Sequence, residues 1–155
     1  MKHMFSLALL LLLNCPASAG PAEDEGAATK LMNEYLEYVA TLDPHRASAH
    51  FNEPFMLVTT TNTNALATRA DVETWLKPGY SQLKARGYAR SDWALLKVKA
   101  LASGVVIAST RFVRYKTDGS ELETLGATYP LRNTNDGWRS VVLTPHPASA
   151  ALSLQ

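Results

Sequence analysis

The sequence predicts an α+β domain, on three observations. Apolar residues recur at helical spacing through the first half. The second half breaks into four long strand-like runs. Glycine-centred turn signals separate those runs every 15–19 residues or so. Helices followed by a run of strands argue for α+β rather than alternating α/β. The 155 residues fit one domain.

Residues 1–19 read as a cleaved signal peptide. Lys2 and His3 open it, Phe5 to Leu13 is apolar apart from Ser6, and Ala17-Ser18-Ala19 supplies the small-residue cleavage pattern. The run is short of the roughly 20 residues a bilayer span needs, so export (periplasmic or secreted) without a membrane anchor is expected. The competing reading is a lipoprotein lipidated at Cys15, where Asn14 is a poor preceding residue. Residues 20–26, GPAEDEG, read as a flexible acidic leader, 27–147 as the folded domain and 148–155 as a C-terminal tail.

Ala28, Leu31, Met32, Tyr35, Tyr38, Val39 and Leu42 step by threes and fours, which predicts a first helix over about 27–42. Asp43-Pro44 ends it and opens a short second helix, the aspartate capping and the proline at the first helical position. "EPFMLVTTT", 53–61, favours a strand, with proline at its start where no ladder bond is lost. "NTNAL" turns the chain into a brief strand near 65–67. In "TRAD", Thr68 and Asp71 form a capping box that starts a third helix. Pro78-Gly79 is expected to kink or interrupt that helix, and Gly87 to end it.

The four strand runs meet at Ser103-Gly104, Asp118-Gly119 and Asp136-Gly137, which have hairpin turn chemistry. A two-residue turn at Asp118-Gly119 sets Lys116 against Glu121, Arg114 against Glu123, Arg111 against Gly126 and Ser109 against Thr128. The opposite charges favour this register. A similar turn at Ser103-Gly104 sets Leu96 against Arg111 and Val98 against Ser109. One sheet face then carries Leu96, Val98, Ser109, Arg111, Val113, Tyr115, Gly126 and Thr128. The other carries Trp93, Lys97, Lys99, Phe112, Arg114, Glu123, Leu125 and Tyr129. The second holds more charge and is assigned outward, its apolar members covered by a partner subunit. The first faces the helices.

With Lys2 removed, fourteen basic and fourteen acidic residues balance, which speaks against a nucleic-acid binder. Eight Lys or Arg against one Asp over 84–116 suggest a basic rim for an anionic ligand. The one cysteine lies in the removed segment, so the mature chain has no disulfide, thiol nucleophile or thiolate metal site. His45 and His50 project about 140° apart on a helix, and His146 is remote, so no metal site and no cofactor are expected. No nucleophile elbow, phosphate loop or catalytic carboxylate pair is present.

The layout resembles the nuclear transport factor 2-like superfamily, which includes SnoaL-like domains. The resemblance rests on the long first helix, the "LDPHRASAHFNEPFMLV" passage, the capped third helix and the "DG…ATYPLRNTNDGWR" hairpins, and covers about 27–147. It implies a cone-shaped single domain, with three N-terminal helices packed on a strongly curved antiparallel sheet of four long strands plus one or two short ones. It also implies an apolar cavity and a homodimer through the outer sheet face. Members include isomerases, cyclases, dehydratases and binding modules, so the fold does not fix the function.

Three readings follow. In the first, the chain is an exported binding or accessory module for a small apolar or carboxylate-bearing ligand. Arg111 grips the carboxylate, and Tyr38, Met56, Ser109, Tyr115 and Thr128 line the site. In the second, it is an isomerase-, cyclase- or dehydratase-type enzyme with Glu53 or His50 as base and Tyr35 as donor. The resemblance to ketosteroid-isomerase-like members supplies these roles, but the late strands offer Thr128, Tyr129 and Ser140 where such members have a second acid. In the third, it is a structural dimer whose cavity is filled by Tyr35, Phe55 and Met56. The first two require Glu53, Arg111 and Tyr35 to converge on one void.

Overall fold

The computed structural model describes residues 20–154. The signal-peptide reading of 1–19, with Cys15, lies outside them. Three α-helices, α1 (Pro21–Thr41), α2 (Pro44–Ser48) and α3 (Arg69–Ala85), pack on one sheet of six strands. The strands are β1 (Phe51–Val58), β2 (Thr63–Leu66), β3 (Tyr88–Ala102), β4 (Val105–Lys116), β5 (Glu121–Thr134) and β6 (Gly137–His146). The spatial order is β2-β1-β6-β5-β4-β3. Strands β3 to β6 form the expected antiparallel meander, and β1 joins β6 in parallel. The α+β cone with its curved sheet is therefore as the sequence predicts.

The predicted caps form. The Asp43 carboxylate accepts from His45 N at 2.9 Å and Arg46 N at 3.3 Å. Thr68 Oγ1 accepts from Asp71 N at 3.2 Å, while Asp71 Oδ2 accepts from Thr68 N at 3.0 Å. Gly87, at φ 77°, ends α3 in the left-handed region that glycine enters without steric cost.

Four local expectations change. Pro78 sits inside an unbroken α3, held by the buried stripe of Val72, Leu76, Tyr80 and Leu83. Strand β1 begins at Phe51, so Pro54 falls within it, and the ladder to β6 shifts register across that stretch. The C-terminal segment, expected as a tail, forms a short 3₁₀ turn over Ala148–Ala150 and then lies on the sheet, where Leu152 N donates to Ser109 Oγ at 2.7 Å. The acidic leader is the first turn and a half of α1. Asp24 is buried and accepts from Gly104 N at 2.8 Å, and Glu25 Oε1 accepts from Ala100 N at 2.9 Å.

Those two carboxylates sit beside one of three places where the β3–β4 pairing shifts register. The turn at Ser103-Gly104 forms, but the β3–β4 pairing shifts by one residue between Ala100 and Ala102. Beyond this bulge Val98 faces Ala108 and Leu96 faces Thr110. The one-residue shift reverses which β4 side chains share a face with β3 from Ala100 to Leu95, and a second shift between Leu95 and Trp93 restores the expected sharing, with Trp93 opposite Phe112. The β4–β5 register, by contrast, holds as predicted from Arg114↔Glu123 to Val105↔Arg132. It shifts only at the turn, where Tyr115 rather than Lys116 meets Glu121.

Even-numbered residues of β4 therefore look inward. Val106, Ala108 and Thr110 are fully buried, whereas Arg111 is exposed. The face assigned outward on β4 and β5 is the interior wall. Charge misled that assignment, because Arg114 and Glu123 pair with each other inside, at 2.6 Å.

Asp24→Ala is expected to cost about 1.5–3 kcal/mol, since it leaves the Gly104 amide without its charged acceptor. Urea unfolding measures this. A loss below about 0.5 kcal/mol, ordinary for an inert position, would mean that Asp24 does not brace the β3–β4 turn.

Candidate functional site

A cavity of about 560 Å³ opens between α1, α3 and the inner sheet face. Helix α1 contributes Tyr35, Leu36 and Val39. The apolar side of α3 contributes Trp75, Leu76, Tyr80 and Leu83. The sheet supplies Trp93, Phe112, Leu125, Ala127 and Tyr129. Trp93 and Phe112 face each other across the β3–β4 ladder in a T-shaped contact at 6.1 Å.

The polar groups on this wall are few. Arg114 Nη1 donates to Glu123 Oε1, and Arg86 Nη1 lies 2.8 Å from Glu123 Oε2. Burial raises the Glu123 pKa, but the hydrogen bonds from Arg114 and then Arg86 outweigh it and hold the carboxyl below its usual range. Among the described residues, Arg114 Nε and the Tyr80 hydroxyl are buried without a hydrogen-bond partner. Burial pushes the Tyr35 hydroxyl up to about 12, with the Arg114 charge opposing. Burial likewise drives Tyr80 and Tyr129 well above the ordinary phenol range, and Arg114 opposes it at both. These phenols stay protonated at neutral pH and serve as donors, not bases.

On the outer sheet face, His146 stands opposite Gly126 across the β5–β6 ladder and rests on it. A Cβ there would stand 2.5 Å from the imidazole ring, so only glycine fits. His146 Nε2 lies 3.1 Å from Thr128 Oγ1 and Nδ1 lies 2.9 Å from Pro147 O, so both ring nitrogens are engaged.

Of the site residues that the sequence suggests, Tyr35 alone lines this cavity. Arg111 is exposed on the opposite face, and the clamp assigned to it fails because of the β3–β4 bulge. The same shift takes the other outer-face residues away. Ser109 is buried under the C-terminal segment, Tyr115 lies beneath the Arg90 guanidinium at 4.1 Å, and Thr128 meets His146. Met56 is 39 % exposed, because β1 turns Phe55 inward instead. Tyr38 meets the His50 ring at 4.8 Å with a 57° tilt and lies under Arg46 at 4.7 Å, outside the cavity.

Glu53 is exposed and lines a separate polar cleft of about 380 Å³ with Arg132, Asp136 and Arg139. His50 is buried behind Tyr35 in a void of about 10 Å³ shared with Phe51 and Tyr129. Glu53, Arg111 and Tyr35 thus point to three different places. The enzyme mechanism built on Glu53 and the clamp built on Arg111 both fall. The residue that reasoning from sequence missed is Arg114. Its signal was present, as a charge pair with Glu123 on a face otherwise rich in aromatics.

His45 pairs with Glu73 at 2.7 Å, and no cluster of potential metal ligands occurs among the described residues. No helix among them is long and apolar enough to cross a membrane.

A family model described as NTF2-like protein (DUF6841) matches residues 24–148. No curated protein matches significantly. Among solved structures, an NTF2-like protein with a cystatin-like fold from Novosphingobium aromaticivorans superposes with a TM-score of 0.67 at 17 % identity, covering 83 % of this chain and 84 % of that one. An NTF2-like protein of unknown function from Shewanella oneidensis gives 0.63 at 14 %, covering 77 % and 96 %. Aln2 from a Streptomyces species gives 0.63 at 15 %, covering 80 % and 90 %. At these identities the likeness carries the fold alone.

Proposed function

The chain belongs to the NTF2-like family DUF6841, and from that fold we propose that it is a binding or accessory module that takes a small, largely apolar molecule into the cone without transforming it. One observation carries the reading. The cavity wall is mostly aromatic and aliphatic and holds no aspartate or glutamate among its lining residues, and Glu123 beside it is committed to Arg114 and Arg86. An isomerase- or dehydratase-type enzyme needs a carboxylate or imidazole within hydrogen-bond reach of its substrate. Here the buried imidazole, His50, lies behind the wall, and that of His146 turns to the outer sheet face with both nitrogens engaged.

The volume also supports binding. Small-molecule sites usually measure roughly 300–1,000 Å³ and are mostly apolar with a few placed polar groups. The structural-dimer reading needed Tyr35, Phe55 and Met56 to fill this space, and Met56 is on the surface. A second copy, if it docks on the outer sheet face, meets the Arg111 side, part of which the chain's own C-terminal segment occupies at Ser109.

Native mass spectrometry of the purified protein tests the binding reading. A retained small molecule, released unchanged on denaturation, is the expected result. A protein that retains nothing, and whose Trp75 and Trp93 fluorescence ignores naphthalene-sized apolar probes, would remove it. Export is part of the proposal, and N-terminal sequencing of the mature protein is expected to begin at Gly20. An intact N-terminus would sink that part.

A further inference from the structure

Two guanidinium groups on the cavity wall share one carboxylate. Arg114 and Arg86 both pair with Glu123, through different oxygens, at 2.6 and 2.8 Å. The trio therefore carries a surplus of one positive charge. No acidic residue lines the cavity to offset it. Arg86 is half-exposed at the rim, while the Arg114 side chain is 22 % exposed and reaches farther in.

Arg114 is only partly satisfied. Its Nη1 is committed to Glu123, and its buried Nε has no partner among the described residues. The Tyr80 hydroxyl is in the same condition on the facing helix, with Tyr80 7 % exposed. A buried donor without an acceptor costs about 1–3 kcal/mol, so a fold rarely keeps two beside one cavity unless something else accepts from them. Arg114, Tyr35, Tyr80 and Tyr129 all line the same cavity, and the Arg114 charge opposes the burial that raises the three phenols.

We infer that the cavity is built for an organic monoanion, an aromatic or alicyclic carboxylate, whose head draws Arg114 Nε and Tyr80 Oη, both sealed from solvent in this structure, round into hydrogen bonds while its ring lies against Trp75, Trp93 and Phe112. The inference rests on the binding reading above and adds the ligand's charge and orientation. The Nε edge of a guanidinium suits a planar carboxylate. A single surplus charge matches a monoanion rather than a phosphate carrying two. The aromatic wall supplies the affinity, and the buried donors supply the discrimination. A site with unpaired polar groups penalises any ligand that cannot satisfy them.

The test uses 2-naphthoate and 2-naphthamide, which share size and shape and differ in charge. Binding is followed at pH 7 by quenching of the cavity tryptophans and by calorimetry. The full-length mature protein is expected to prefer the carboxylate by at least about tenfold, the scale of one charge-assisted hydrogen bond. Arg114→Gln is expected to collapse that ratio to about twofold. This variant also releases Glu123 and could unfold, so Tyr80→Phe is measured beside it. Tyr80→Phe removes an unpaired hydroxyl and nothing that holds the fold. It is expected to leave the melting temperature unchanged or higher and to cut the ratio to about threefold.

Equal affinity for the two ligands in the wild type overturns the inference and leaves the apolar binding module standing. A preference that survives both substitutions overturns it too, because the anion is then seated elsewhere. Failure of both ligands to bind removes the inference together with the reading beneath it.

Discussion

Phe55→Ala is expected to lower stability by about 3–5 kcal/mol, the range for an aromatic core side chain truncated to Ala. Phe55 is fully buried, 4.4 Å from the Phe51 ring and 5.8 Å from Trp75. It ties β1 to α3, so its loss opens a void behind the cavity wall rather than at the surface. A domain of this size is stable by about 5–15 kcal/mol in total, and the described residues contain no cysteine for a disulfide. The melting temperature should fall by roughly 10–20 °C. Met56→Ala is the control, since Met56 points outward at 39 % exposure and should cost under about 1 kcal/mol. Comparable losses at the two positions, read by urea or thermal unfolding, would mean that β1 presents its other face to the core.

Acidification from pH 7 to about pH 4 is expected to cost the fold about 3 kcal/mol through His50 alone. His50 is 5 % exposed, and burial lowers its pKa from 6.5 to about 4, with the Arg139 charge acting in the same direction. The folded pKa lies below the unfolded one, so the unfolded chain takes up the proton first. Stability from neutral His50 is complete above about pH 6.5. It drains as pH falls toward 4, and below that both states are protonated. His50→Leu should flatten this part of the profile. Urea unfolding of the wild type and variant at pH 7, 5.5 and 4.5 checks it. Carboxylates titrate in both proteins, so the difference between the two curves carries the result. Parallel curves would show that His50 does not stay neutral in the fold.

Much of the architecture is legible in local sequence, because local chemistry decides it. The boxes at Asp43 and Thr68-Asp71 depend on side chains within three residues of their targets. The β4–β5 register follows from a tight turn and the facing pair Arg114 and Glu123. The candidate site is far less legible. Its wall depends on which face of β4 looks inward, and a bulge near Leu101 reverses that. Nothing within β3 or β4 marks the bulge. Glu25 accepts from the Ala100 amide at its edge and Asp24 from Gly104 in the adjoining turn, both more than seventy residues away in sequence and readable beforehand only as an acidic leader.

The reversal also explains why charge pointed the wrong way. Arg114 and Glu123 look like surface residues to any rule that sends charge outward. Inside the cone they neutralise most of each other, and Arg86 completes the set. Arg111, flanked by Ser109 and Val113, looks like the lone interior cation and is a solvated side chain.

The sequence by itself determined the class of fold, the order of its elements, the helix caps and the pairing of the central hairpin, since each rests on periodicity or on contacts a few residues long. Only the tertiary structure decided which side of that hairpin is the inside. Strand alternation leaves two faces of nearly equal merit, and shifts in the β3–β4 ladder, the one nearest the turn held by carboxylates from a distant helix, select between them.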